Sequence, residues 1–252
     1  MLEIFILIFL IGFLLKYIDL VLGGSYGTIL TPFFLLLGYS LPTIVPIILL
    51  ADFITSIVGG TWHRKLGNVS SKAVLFIVLP ASIGTVIAII FAINAPKFWL
   101  NLYIGLLTLF LGILMFLKYY RERKLMNVKQ VSSWKMFLVG GLVGFNKALS
   151  GGGFGHISTA SLALVGYEPR KCVGSTTLSK GIVCLVGFAC YLLLNGMYSI
   201  NWNLAASLIS GSLLSTYPAV YTTIKIPRKT LGMLVSIAII LLGISTLMRL
   251  VI

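Results

Sequence analysis

The chain has 252 residues, 59% of them hydrophobic and 10% charged, with a net charge of +14 and a mean hydropathy of +1.08. Soluble proteins are roughly 45–50% apolar and about 25% charged, so this composition excludes a soluble globular domain. The positive charge also excludes a nucleic-acid partner, because Lys and Arg cluster in short loops between apolar runs, as in cytoplasmic membrane loops.

The first run, Leu2–Leu22, lacks a basic n-region and an A-x-A cleavage site, so it reads as a retained first helix rather than a secretory signal. It ends in a Gly-rich break. The short helix that follows, Thr28–Leu37, reaches only ~15 Å at about 1.5 Å per residue, too little to span a bilayer. Three full spans are predicted next, over Leu41–Trp62, Ala73–Ile93 and Phe98–Tyr119. A polar connector, Arg121–Ser133, leads to a second series of the same kind. It comprises a helix over Trp134–Leu149, a break, a short helix over His156–Val165, and spans over Cys172–Leu194, Leu204–Thr223 and Leu231–Leu250. None of the runs has the alternation of a barrel strand, so the predicted fold is an all-α integral membrane protein. Its parts are a first transmembrane repeat (1–122), a cytoplasmic linker (123–133) and a second repeat (134–252).

The two halves superpose at one gapless shift of 128 residues, which carries Gly23–Tyr39 onto Gly151–Tyr167. The shift also places Gly12 on Gly140, Gly27 on Gly155, Thr31 on Thr159 and Gly59 on Gly187. Internal repeats of this kind are common in transporters. Arg64, Lys65 and Lys72, then Arg121, Arg123, Lys124 and Lys129, then Lys225, Arg228 and Lys229 mark three cytoplasmic loops. Three spans after each broken hairpin give each half an odd number of crossings. The halves are therefore expected to be inverted repeats, in the cell membrane, with both termini outside.

Clustered glycines cannot hold a helix. Unwound backbone at membrane depth is tolerated only inside protein or around a cavity. The N-terminus of each short helix would present free N–H groups and a positive dipole end, an anion site. Gly23, Gly24, Ser25 and Gly27 in one break, and Ser150, Gly151, Gly152, Gly153 and Gly155 in the other, are thus candidate substrate-binding residues. The lone glycines Gly140, Gly144 and Gly187 read as helix-packing positions. Ionisable residues in a membrane interior are functional candidates by default. Four lie on this pattern, and the shift places Asp19 on Lys147 and Asp52 on Lys180. Asp–Lys pairs that lock the halves are one reading. In the other, Lys147 and Lys180 bind an anion while Asp19 and Asp52 couple or gate. Lys16 lies off the pattern, as a third buried charge or a snorkelling one. His156 and Thr176 join the substrate-binding set, Thr176 by sharing a face with Lys180 at i, i+4. His63, in a basic loop, is expected at the solvent or headgroup level. Cys172, Cys184 and Cys190 read as small core residues. Walker and H-E-x-x-H motifs are absent, and two histidines and five acids leave little for catalysis. No enzyme activity, metal or cofactor is expected.

Asp19 with Gly23-Gly24-Ser25-Tyr26-Gly27 and Pro32, repeated as Gly151-Gly152-Gly153-Phe154-Gly155, and the loop His63-Arg64-Lys65-Leu66-Gly67-Asn68-Val69, resemble the sulfite exporter TauE/SafE family of anion permeases. The resemblance covers essentially the whole chain. Ser25 stands where a third glycine is common, and Ala160 stands at the mate of Pro32. The resemblance implies secondary transport of a small, sulfur-containing anion such as sulfite, thiosulfate or an organosulfonate. The anion would bind at the midplane between the two breaks, with alternating access. The lipid bilayer and the anion are the expected partners, with a coupling proton or ion and a homo-oligomer as open options. A passive anion channel and an intramembrane enzyme are the rival readings.

Overall fold

The structure, a computed structural model, describes residues 2–22, 26–94, 96–120, 133–164, 167, 169–196, 200–222, 228–248 and 250. Among these residues are ten helices and no strand. They are α1 (Leu2–Leu22), α2 (Tyr26–Leu36), α3 (Leu41–Lys65), α4 (Ser71–Asn94), α5 (Lys97–Tyr120), α6 (Ser133–Ser150), α7 (Phe154–Leu164), α8 (Pro169–Asn195), α9 (Trp202–Thr222) and α10 (Arg228–Met248). Every predicted helix is present, with no end displaced by more than three residues. The linker predicted over 123–133 lies almost wholly outside the described residues.

The outside of the bundle is apolar. Leu10 and Leu14 on α1, Leu79, Ile83 and Ile87 on α4, Phe110 on α5 and Leu214 on α9 are all exposed. A hydrocarbon solvent accepts such a surface, and water does not. By length and composition, three described segments are long and apolar enough to cross a membrane: Leu41–Lys65, Ser71–Ala92 and Lys171–Leu194. The helices α2 and α7 have 11 residues each and are too short.

Helices pair mainly across the halves. α1 packs on α9, α4 on α6, α3 on α8, and α5 on α10. The 128-residue shift exchanges the first two pairs and returns each of the others to itself. Glycine makes these contacts close, because lipid gives helices no hydrophobic drive to associate and backbone proximity must supply the attraction. A Cβ on Gly140 would lie 2.6 Å from Pro80 Cγ, and one on Gly187 would lie 3.1 Å from Leu49 Cδ1. Gly144 abuts the backbone of Ala81. The packing reading of these three glycines is borne out.

The α3–α8 seam runs antiparallel. Leu49 meets Gly187, Ile57 meets Gly181, Gly60 meets Leu178, and His63 meets Gly174, so numbers rise on one helix as they fall on the other. Gly59, the repeat mate of Gly187, touches Thr177, the mate of Leu49. The 128-residue shift thus relates individual contacts at this seam, whose helices carry Asp52 and Lys180.

Candidate functional site

Five charged side chains meet in the middle of the bundle, each no more than 5% exposed: Lys16, Asp19, Asp52, Lys147 and Lys180. Lys180 donates to Asp19 at 2.6 Å, and Lys147 donates to Asp52. Under the shift, Lys147–Asp52 becomes Asp19–Lys180, so these two ion pairs are pseudosymmetric copies. Lys16 has no such counterpart, since its mate is Gly144. Its ammonium sits 2.5 Å from Asp52 and 3.1 Å from Asp19, bridging the two carboxylates. It also lies 4.9 Å from the centre of the Tyr26 ring. Three lysines against two aspartates leave this buried cluster with one net positive charge. Removing ions from water costs several kcal/mol apiece, and mutual attraction seldom returns more than that, so such a cluster is poor evidence for stability alone.

The two helix breaks meet beside the charges. A Cβ on Gly27 would fall on the carbonyl of Gly151, and one on Gly152 would lie 2.7 Å from the backbone nitrogen of Thr28. Gly151 and Gly153 have φ of 68° and 80°, conformations that side chains resist. Side chains replace the missing helical partners at the breaks. Asp19 accepts from Tyr26 N at 3.1 Å at the start of α2. Thr28 Oγ1 accepts from Gly153 N at 3.1 Å, and Ser150 Oγ accepts from Gly152 N at 3.2 Å. Lys147 also donates to the Gly151 carbonyl. A small cleft lies here, bordered by Gly27, Thr28, Gly152, Gly153 and Gly155 and by Asp19, Asp52, Lys147 and Lys180. The N-terminal residues of α2 and α7, Tyr26 and Phe154, border it too. Two helix N-termini, backbone without side-chain cover and a surplus of one lysine over the two aspartates form an environment that favours negative charge.

The structure therefore brings together Asp19, Asp52, Lys147, Lys180, Gly27, Ser150, Gly151, Gly152, Gly153 and Gly155. Gly23, Gly24 and Ser25 lie outside the described residues, as does the side chain of His156. Thr176 is buried with its hydroxyl unpartnered. Of the two alternatives for Lys16, the buried charge is the one found: it is fully buried at the centre of the cluster. One residue breaks its sequence-based expectation: His63 is not at the solvent level but 5% exposed, with both ring nitrogens unpartnered. It ends a face of α3 that also carries Asp52 and Ser56, at i, i+4 and i+11, and Gly174 leaves room for it on α8. Sequence reading also passed over Thr31. It is fully buried, its hydroxyl has no partner, and it would lie 2.8 Å from a Cβ on Gly151. Its place in the repeat, opposite Thr159, was the available signal.

Comparison with known proteins fits this arrangement. The family described as sulfite exporter TauE/SafE matches residues 8–246. The probable membrane transporter protein YtnM of Bacillus subtilis is 31% identical over 246 residues, covering 95% of this chain and 81% of that protein. No solved structure matches significantly. The family and the relative point to a transporter and not to an enzyme, which agrees with a buried cleft that holds charge but few acid–base groups. The apolar helices, the paired breaks and the near full-length match place this chain in the sulfite exporter TauE/SafE family of membrane transporters.

Proposed function

We propose that the protein is a secondary transporter of a small anion, sulfur-containing as in sulfite, thiosulfate or an organosulfonate, bound where the two helix breaks cross. The observation that carries this reading is the surplus positive charge: three buried lysines face two aspartates beside two helix N-termini. An ionisable residue left over in a membrane interior needs a counter-charge, and a substrate anion supplies it.

In the substrate-free arrangement the aspartates occupy the lysines. An anion that takes Lys147 or Lys180 displaces a carboxylate, and a displaced aspartate in a low-dielectric interior takes up a proton. Anion and proton then cross together, with Asp19 and Asp52 as the coupling groups and Ser150, His156 and Thr176 supporting the site. Gly23, Gly24 and Ser25 complete the first break.

Alternating access follows from a rocking of two inverted repeats, 1–122 and 134–252, about the α3–α8 seam. Support comes from that seam. Homologous helices that meet antiparallel are related by an axis across them, lying in the membrane plane. The basic loops, including 123–133, are then cytoplasmic, and both termini lie outside the cell membrane. Single cysteines at positions 39 and 168 are expected to label from opposite sides of the membrane. Labelling of both from one side would remove the inversion.

Uptake into proteoliposomes tests the function. Sulfite, thiosulfate, sulfate and sulfoacetate are compared with and without an inward proton gradient. Saturable uptake of at least one, accelerated by the gradient, is expected. Lys180→Ala should weaken apparent affinity by ~10–100-fold, the size of a lost charge-assisted hydrogen bond. Lys16→Met, which removes the surplus charge and leaves both pseudosymmetric pairs, should abolish uptake while the protein still inserts and folds. Wild-type affinity in both variants would remove the lysines from the site.

A further inference from the structure

The most informative difference between the halves is a set of hydroxyls with nothing to bond. Ser158 on α7 and Thr176 and Ser179 on α8 are 2%, 3% and 0% exposed, and none of their hydroxyl oxygens has a partner. Several other buried hydroxyls on the long helices return to a carbonyl one turn back, Thr55 to Ala51 at 2.6 Å, Thr177 to Val173 at 2.8 Å and Thr216 to Ser212 at 3.0 Å, while Thr31, Ser56 and Thr159 are likewise unpartnered. Ser158, Thr176 and Ser179 lie on stripes whose flanking residues pack together. Phe154, Ser158 and Leu162 follow one another at i, i+4 and i+8 on α7. Cys172, Thr176, Ser179 and Val183 follow at i, i+4, i+7 and i+11 on α8. Phe154, Leu162, Cys172 and Val183 belong to one buried cluster, and α7 packs on α8. Hydroxyls therefore sit in the middle of two facing stripes whose ends are apolar.

The first half supplies an internal control. The repeat mates of Ser158, Thr176 and Ser179 are Leu30, Ile48 and Ala51. All three are fully buried in a single apolar cluster. The fold is thus content with hydrocarbon at these positions, and polarity in the second half serves something other than packing. Leaving a hydroxyl buried and unpaired is destabilising. Phe154 borders the cleft, as does Lys180, which shares a face of α8 with Thr176 at i, i+4.

We infer that Ser158, Thr176 and Ser179 form a subsite for the oxygen atoms of an oxyanion, so that the substrate binds off the pseudo-two-fold axis, on the α7–α8 side. The inference rests on the anion reading above and sharpens it. Three directional donors beside a lysine select a sulfite-like or sulfonate head with several oxygens over a monatomic halide.

Thermal unfolding of the purified full-length protein, with and without sulfite or sulfoacetate and with chloride as the comparison, tests it. The variants are the triple Ser158→Ala, Thr176→Val, Ser179→Ala and the single Lys180→Met. The triple variant should melt no lower than wild type without ligand, because the hydroxyls have no partner to lose. Its apparent affinity for the stabilising oxyanion should fall by at least about tenfold. A triple variant that keeps wild-type oxyanion affinity while Lys180→Met loses it overturns the subsite alone. So does a triple variant that melts well below wild type, since the hydroxyls would then be structural. A wild-type protein stabilised by neither anion overturns the anion reading, and the ligand class of the subsite with it.

Discussion

Asp52→Asn is expected to destabilise the protein by ~3–5 kcal/mol, the usual result of removing one partner from a buried ion pair. Asp52 contacts all three lysines: Lys147, Lys16 at 2.5 Å and Lys180 at 3.5 Å. The amide is nearly isosteric, so packing is preserved, but only Asp19 is left against three buried ammonium groups. The expected loss is a large part of the ~5–15 kcal/mol that holds a typical domain together. Denaturation in detergent should register it as a lower midpoint, and transport should be lost in the fraction that still folds. Lys147→Met on the Asp52→Asn background should restore part of the stability, because it removes the charge left unpaired. If Asp52→Asn leaves stability unchanged, the ion cluster contributes nothing to the fold and its role is confined to the substrate.

Gly27→Ala should be the most damaging of the single-methyl changes. The new Cβ would coincide with the Gly151 carbonyl, which is backbone and cannot rotate away. One break must therefore move from the other, displacing the carbonyl to which Lys147 donates. Overpacking of this kind costs about 1–3 kcal/mol. Here the strain falls on the crossing point of the site, so transport should drop to near zero while membrane insertion remains. Gly67→Ala is the matched comparison in stability. Unlike the helical Gly27, it sits at positive φ, 71°, but nothing lies within 4 Å of its Cβ position, so it should strain only its own loop. Equal transport by both variants would mean that the close approach of the breaks is not needed.

Helices and repeat were legible in the sequence because lipid imposes a simple code. A span must be apolar for its whole length, so its ends are written in composition, and α3 through α5 begin and end within three residues of the predicted bounds. The glycine breaks were legible for a similar reason, since few backgrounds other than a cavity tolerate them. Partner choice was not legible. A sequence shift relates Asp19 to Lys147 as equivalent positions, whereas contact in the structure joins Asp19 to Lys180. Lys16 was legible as a candidate buried charge, but its bridging place between the two aspartates was not, because it has no charged mate, and that same absence leaves it as the surplus charge. His63 escaped because its neighbours in sequence, Arg64 and Lys65, are exposed, while its own side chain turns into the seam that Gly174 opens.

The crossed ion pairs also bear on ancestry. If the first half were to associate with a copy of itself in the same geometry, Asp19 would face Asp52 of the copy at both contacts, bringing together two carboxylate pairs softened only by Lys16. The second half with its own copy would set Lys147 against Lys180 twice. Neither half is charge-matched to its own copy, so an identical-subunit ancestor would have needed one acid and one base per subunit, or neutral residues, at these positions. Fusion into a single chain would have freed the two positions to drift to opposite signs, committing each half to the other.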